Sequence, residues 1–355
     1  MNYFCALILY CIYQFKGERS IKAVQYLLTG KKSTQTLQDA VWYSLQHLYS
    51  VFPEMDAEAF IDAVKKLEKT GSIVISDKTV ALTESGKKVL SELMSGYPVP
   101  DHLNGWQFHK MEQFFWQRLT LLIQILTNWA YSETKFIPVV RDYPIQNWVK
   151  RWLGEKRQIY NKKQLSLCLY NELFTIFEIC EQNRENPDYI VARFTGYQRP
   201  GYTSTQIAKQ AAVEETYYIL AFRSCLHFMI QTIWHKRGEF PILSSLLVDR
   251  KSPWTLTSSS WETYKFLKYG KNVEEIAKFR KLRKSTIEDH IVEIALLDPT
   301  FSITTYVKPD TQKRITEAVN LLQTRKLKTI KDYLTDIDYF SIRLVLSKMN
   351  DKNDV

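Results

Sequence analysis

The segment 272–297 constrains the fold most, because it pairs two short amphipathic helices across a three-residue turn. Asn272 is typical of a residue that begins a helix. Ile276 and Ala277 then lie on the inward face of the first helix, and small Ala277 lets a second helix approach closely. The turn has the sequence KLR, in which Leu282 is placed to close the core. The segment therefore predicts a helix-turn-helix.

The second helix of this pair is expected to begin at the sequence STIEDH. Ser285 and Glu288 have capping-box spacing, which predicts that Ser285 caps the helix. Ile287, Ile291 and Ile294 recur at the spacing of a buried stripe. The outward face is then expected to carry four polar residues: Thr286, Asp289, His290 and Glu293.

Residues around the start of the second helix are the candidates for contact with DNA. In a DNA-binding helix-turn-helix, this end enters the major groove while nearby cations contact phosphates. The phosphate candidates are Lys278, Lys281, Arg283 and Lys284. The candidates for base edges are Ser285, Thr286, Asp289 and His290. Glu288, Asp289 and Glu293 would repel phosphates. The capping role explains Glu288, whereas Asp289 and Glu293 leave docking of a protein open as an alternative for this face.

The charge of the whole chain permits a polyanionic partner. Its 48 Lys and Arg residues outnumber 38 Asp and Glu residues, which gives a net charge of +10. With 355 residues we expect more than one domain, and only 11 Gly and 11 Pro favour a chain rich in helices. The five cysteines include no CxxC pair, which indicates reduced thiols in a cytoplasmic protein.

Residues 1–95 are expected to form a winged-helix-like domain. The domain begins with an apolar run that is too short to span a bilayer, which predicts a buried first helix. Three helices follow, of which the first ends at Gly30, the second stops before Pro53 and the third ends at Gly71. Residues 73–82 then alternate apolar and polar side chains around the turn SDKT, which predicts a small β-hairpin.

Residues 106–246 are expected to form a helical domain, after a linker at residues 96–105 that is rich in Pro and Gly. Trp116, Leu119, Ile123 and Leu126 lie at helical spacing. This spacing favours a packed core, and a platform on which bases stack is the alternative.

Within this domain, residues 201–231 form a second helix-turn-helix candidate that resembles the last one of bacterial sigma factors. Ile207 and Ala208 are predicted to face inward. The following helix opens with Glu214 and Glu215, which would repel phosphates. Both a structural three-helix unit and a DNA reader therefore remain open here.

Residues 258–350 are expected to form a C-terminal helix-turn-helix domain, after a polar linker at residues 247–260. Its stretches EEIAKFRKLRKSTIEDHIVE, TQKRITEAVN, RKLKTIKDYL and DYFSIRLVLSKM resemble the module at the C-terminus of many RecQ-type helicases. Elsewhere, YLLTGKKSTQTLQDA, LIQILTNWAYSETKFIPV and GYTSTQIAKQ resemble the YpbB family of low-GC Gram-positive bacteria. The resemblance implies an accessory protein for a short RecQ-type helicase that lacks this module.

We therefore expect a mainly α, multi-domain protein that is not an enzyme, and that binds DNA and partners a RecQ-type helicase in recombination or repair. No nucleotide-binding, metal or nucleophile motif occurs, and LLTGKKST lacks the first glycine of a P-loop. We expect no cofactor, metal, small-molecule ligand or membrane association. A transcription regulator and a pure protein-interaction scaffold are the alternatives. A further hypothesis places helicase docking on the winged-helix part and DNA on residues 258–350.

Overall fold

The computed structural model describes residues 1–247 and 256–349, and these are mainly helical, as predicted. The first part of the chain forms α1 (Tyr3–Gln14), α2 (Ile21–Thr29), α3 (Thr34–Trp42), a 3-10 turn (Gln46–Leu48), α4 (Ala57–Lys69), β1 (Ile73–Ile75), β2 (Val80–Leu82) and α5 (Glu84–Gly96).

The middle part contributes the longest helices. It forms α6 (Gly105–Ala130), α7 (Tyr143–Lys156), α8 (Lys162–Gln182), α9 (Asp188–Val191), α10 (Ser204–Gln210), α11 (Glu215–His235) and α12 (Pro241–Ser245). The last part forms α13 (Ser258–Lys268), α14 (Val273–Arg280), α15 (Lys284–Leu297), α16 (Pro309–Leu322), α17 (Leu327–Tyr333) and α18 (Tyr339–Leu346).

The described residues group into two compact units. One comprises residues 1–6 and 91–247, and the other comprises residues 7–90 and 256–349. The winged-helix-like part and the C-terminal helix-turn-helix part, which the sequence treats as separate domains, thus share one unit. Helix α3 packs against α15, and the Glu18 carboxylate accepts hydrogen bonds from the Thr324 hydroxyl and the Arg325 backbone N–H.

The winged-helix-like part follows the predicted order of helices and hairpin. Strands β1 and β2 are antiparallel, with Ile73 opposite Leu82 and Ile75 opposite Val80. The predicted end of α2 at Gly30 is confirmed, because this residue has a φ of 71° in the left-handed region. The hairpin and the end of α2 therefore follow local sequence signals.

The second helix of this part ends earlier than the sequence predicts. Helix α3 stops at Trp42, well before Pro53. Ser44 has a φ of 52°, which helical residues do not adopt. Tyr43 turns inward, where its hydroxyl donates to Glu18 Oε2 at 2.6 Å. A tertiary hydrogen bond therefore prevails over continued helical periodicity.

In the unit built from residues 1–6 and 91–247, buried apolar side chains between residues 108 and 247 form a continuous core. Leu119 and Leu126 of α6 are buried in it, while Trp116 stacks on the Phe194 ring with 5.3 Å between ring centroids. Trp116 also makes an edge-on contact with the Phe222 ring, which covers another side of the indole. The apolar stripe of α6 is thus part of the packed core.

The predicted linker at residues 96–105 is held against this core. Its His102 backbone N–H donates to Ser224 Oγ at 3.2 Å, and the Asn104 backbone N–H donates to His227 Nδ1 at 2.9 Å. The second predicted linker lies partly outside the described residues. No helix in the described part of the chain has the length and apolar character needed to cross a bilayer.

Candidate nucleic-acid interface

The turn between α14 and α15 is built as the sequence predicts. Asn272 caps α14, since its side chain accepts from the Glu275 N–H at 2.9 Å and the Glu275 carboxylate accepts from the Asn272 N–H at 2.9 Å. The helix ends at Lys281, which has a left-handed φ of 53°. The Leu282 N–H then donates to the Ala277 carbonyl at 3.0 Å, which closes the turn.

The start of α15 differs from the prediction. Arg283, not Ser285, is the N-cap residue, and its backbone carbonyl accepts from the Thr286 N–H at 3.0 Å. Ser285 therefore lies inside the first turn and is exposed, so the predicted capping box with Glu288 does not form. Because α15 starts earlier than predicted, Lys284 lies within the helix and Arg283 lies at its N-terminal end.

Helix α15 buries more of its surface than one amphipathic stripe. The predicted stripe of Ile287, Ile291 and Ile294 is confirmed as fully buried. Val292 and Leu296 are buried as well, because α13, α14, α3 and α18 all pack against α15. Only the N-terminal part of the helix can therefore meet a ligand.

His290 is a core residue, so its predicted place on the outward face was wrong. It is 9% exposed, and its Nδ1 lies 2.9 Å from Thr263 Oγ1. Thr263 also accepts a hydrogen bond from Arg280, which leaves its hydroxyl hydrogen to donate to Nδ1 of a neutral imidazole. Burial, and then the positive charge of Arg280, lower the pKa of His290. His290 thus brings neither a charge nor a base contact to the surface.

Glu293 is the second residue whose predicted outward position was wrong. It is 5% exposed, and its carboxylate accepts from the Thr257 N–H at 2.6 Å and from Ser260 Oγ at 2.6 Å. These donors belong to the first turn of α13, where the helix dipole also favours a negative charge. Glu293 therefore ties α15 to α13 and does not face a ligand.

Two charged residues at the open end of α15 have ionic partners. The Asp289 carboxylate pairs with Arg343 of α18 at 2.6 Å, and both side chains are partly accessible. Lys284 Nζ lies 2.7 Å from Glu274 Oε1 of α14, which lowers the pKa of Glu274 and raises the pKa of Lys284. The Glu288 side chain is half-buried, and burial raises the pKa of its carboxyl. Of the carboxylates near the turn, Asp289 and Glu274 are thus paired with cations, and Glu288 is partly shielded from solvent.

Three predicted phosphate contacts remain available. Lys278, Lys281 and Arg283 are exposed, and none of them forms an ion pair with another described residue. They lie within a few residues of each other at the turn, beside the exposed Ser285 and the half-buried Thr286. The structure therefore brings the cations of the prediction together at one end of the helix pair.

Sequence reasoning missed two residues of this region. Arg280 lies in the same basic run but points inward, where it donates to the Ser259 carbonyl at 2.9 Å and to Ser259 Oγ at 3.0 Å. Phe279 is an apolar residue that points outward. Its position outside the Ile276–Ala277 face was the available signal, because that spacing directs it away from the core.

The second helix-turn-helix candidate has no open recognition helix. Thr203 caps α10 through a capping box with Gln206, and Ile207 and Ala208 are buried as predicted. In α11, however, none of the residues 216–230 is exposed. A groove-reading helix needs an exposed face, so this arrangement favours the structural three-helix unit.

The described part of the chain holds no group of three His, Cys, Asp or Glu side chains placed for a metal ion. Two comparisons with known proteins find similarity to this chain. The profile of a helix-turn-helix domain family matches residues 259–346. Protein YpbB of Bacillus subtilis (strain 168) is 33% identical over 359 residues, which cover 100% of this chain and 99% of that protein. No solved structure matches the chain.

Proposed function

The chain belongs to the YpbB family, and we propose that its C-terminal helix-turn-helix domain binds DNA through the cations at the turn between α14 and α15. The observation that carries this proposal is the contrast between free cations and engaged carboxylates. Lys278, Lys281 and Arg283 are exposed and have no ionic partner within residues 1–247 and 256–349, whereas Glu293 is buried and Asp289 is paired. Phosphate contact supplies most of the affinity in such domains.

The test is charge reversal at the turn in the full chain. Lys281→Glu/Arg283→Glu is the better pair, because reversal at Lys284 would also break its ion pair with Glu274. Lys150→Glu/Arg151→Glu on α7 is the matched control, since it changes the net charge equally on exposed residues of the other unit. We expect the turn variant to lose duplex affinity at least about tenfold and the control to keep it. Equal duplex affinities of the turn variant and the control variant would contradict the proposal.

We further propose that the partner is a RecQ-type helicase without its own C-terminal module, in recombination or repair. The support is the resemblance of stretches within residues 258–350, in the same order, to that module. The test is co-purification with such a helicase, followed by unwinding of forked DNA with and without this chain. Binding together with faster unwinding is the expected result. Sequence-selective duplex binding without any effect on the helicase would favour a transcription regulator.

The helicase is proposed to dock on the winged-helix-like part. Deletion is a poor test, because residues 7–90 and 256–349 belong to one compact unit. Val74 of β1 is 59% exposed, so Val74→Glu changes the surface without removing any part of that unit. We expect Val74→Glu to lose helicase binding and keep DNA binding, while Lys281→Glu/Arg283→Glu does the reverse. The opposite pattern would assign DNA binding to the winged-helix-like part and helicase docking to the helix-turn-helix domain.

The chain is proposed to act without catalysis of its own. The sequence lacks the motifs that place an ATP phosphate or an activated nucleophile. Purified protein is expected to hydrolyse no ATP and cleave no DNA, alone or with added Mg²⁺. Activity that co-elutes with the chain, and disappears on substitution of one of its own residues, would overturn this part of the proposal.

A further inference from the structure

Phe279 presents an aromatic ring to solvent beside the basic turn. Its side chain is 72% exposed although it lies in the last turn of α14. The ring is held from one side by Phe266 of α13, with 4.9 Å between ring centroids and 57° between ring planes. This contact supports one side of the ring while most of its surface remains open.

A second exposed ring continues this surface along α13. Tyr269 follows Phe266 by three residues, which places the two on the same side of the helix end. Tyr269 is 82% exposed. The aromatic patch, defined as Phe266, Tyr269 and Phe279, therefore spans the exposed surfaces of α13 and α14.

Three exposed cations lie near Phe279 in the chain. Lys278 precedes it, and Lys281 and Arg283 follow within the turn. Arg280 does not cover the ring, because its guanidinium is bound to Ser259 and Thr263. The patch thus joins an open ring to cations that have no ionic partner among the described residues.

This combination fits an unpaired nucleotide better than a duplex. A base in a duplex is stacked on both faces and cannot reach a ring at the protein surface. An unpaired base can stack on an aromatic side chain while neighbouring cations contact its phosphates. The positive charge also disfavours a purely apolar protein partner.

We propose that Phe279, supported by Phe266, stacks on an unpaired base, so that the turn binds single-stranded DNA next to a duplex. This inference rests on the proposed DNA binding and names the kind of DNA that the same site takes. The cations contact the phosphates of both single-stranded and duplex DNA. The ring adds affinity only where a base is free.

The test compares three probes with the full chain. They are a labelled oligothymidine of about 20 nucleotides, an abasic strand of equal length and a duplex of the same length. The abasic strand keeps the phosphates and lacks the bases. The variants are Phe279→Ala and Phe279→Trp, and Tyr143→Ala on α7 is the control at another exposed aromatic residue.

Phe279→Ala is expected to weaken oligothymidine binding about tenfold and to leave duplex and abasic binding within about twofold of wild type. Phe279→Trp and Tyr143→Ala are expected to bind oligothymidine as the wild type does. Because Phe279 is largely exposed, the unfolding midpoint should change little, which is checked in urea.

Unchanged oligothymidine binding by Phe279→Ala, with duplex binding intact, would overturn the inference and leave the proposed function standing. Equal weakening on all three probes would also overturn it, since the ring would then act by holding the turn. Failure of the wild type to bind any probe would overturn the proposed function and this inference together.

Discussion

Arg343 Nη2 lies 2.6 Å from Asp289 Oδ1, so that α18 supplies a cation to a carboxylate near the open end of α15. The pair joins residues that are far apart in the chain and lies close to the proposed DNA surface. Neutralising Asp289 reduces its repulsion of phosphate, because opposite charges at this distance largely cancel toward a third charge. The C-terminal helix is thus part of the electrostatics of the turn.

Removing this cation is predicted to weaken DNA binding through Asp289. Arg343→Gln keeps much of the side-chain stem and should lower duplex affinity by about two- to fivefold at low salt. The double variant Arg343→Gln/Asp289→Asn should recover that loss, because the carboxylate is gone. Fluorescence anisotropy measures the duplex affinities of the single and the double variant. A double variant as weak as the single one would show that Arg343 acts otherwise.

The buried Glu293 is predicted to matter for stability and not for DNA. Glu293→Ala leaves the Thr257 N–H and the Ser260 hydroxyl without their acceptor and should cost about 1–3 kcal/mol of unfolding free energy. Affinity of the folded protein for duplex DNA should stay unchanged. Glu288→Gln is the comparison, since its half-buried carboxyl is nearer the surface. A clear rise in DNA affinity for Glu293→Ala would contradict its buried position.

Two glycines with similar backbone angles are predicted to differ in their tolerance of alanine. Gly30 and Gly71 have φ values of 71° and 65°. A Cβ at Gly30 would lie 2.3 Å from Ser50 Oγ, whereas a Cβ at Gly71 would meet nothing within 4 Å. Gly71→Ala should cost about 1 kcal/mol, and Gly30→Ala should cost at least about 1 kcal/mol more. Urea unfolding measures the stability of both variants. Equal losses of unfolding free energy would refute the close contact between a Cβ at Gly30 and Ser50.

Stability is predicted to fall as the pH drops from 7 to 5. Burial lowers the pKa of His47 to about 4, and its ring lies edge-on to Tyr10 with 5.9 Å between centroids. The unfolded state then binds more protons between pH 6.5 and 4, so acid favours unfolding. This group alone accounts for about 2 kcal/mol between pH 7 and 5. The His47→Gln variant should show a flatter pH profile, and an unchanged slope would exclude His47 as the cause.

Helical periodicity in the sequence was enough to find the helix-turn-helix but not the surface it leaves open. The spacing of Ile287, Ile291 and Ile294 fixes one inward stripe, and the structure confirms it. The same spacing cannot reveal that α3 and α18 cover further sides of α15. Periodicity describes one helix, whereas burial depends on every element packed against it.

Polar residues of α15 were misplaced for a related reason. His290 and Glu293 lie off the apolar stripe, and polar side chains there are usually solvated. Their partners are hydroxyls and an N–H of α13, contributed by Thr263, Thr257 and Ser260. Nothing in the local pattern predicts these long-range hydrogen bonds. The union of residues 7–90 with 256–349 is likewise tertiary and left no local signal.

The salt dependence of duplex binding tests the central claim most directly. Each cation that contacts a phosphate adds about 0.9 to the magnitude of the slope of log K against log salt concentration. Lys281→Gln/Arg283→Gln is therefore predicted to reduce that slope by about 1.8, while Lys150→Gln/Arg151→Gln on α7 leaves it unchanged. Equal slopes for the wild type and the turn variant would contradict phosphate binding at the turn between α14 and α15.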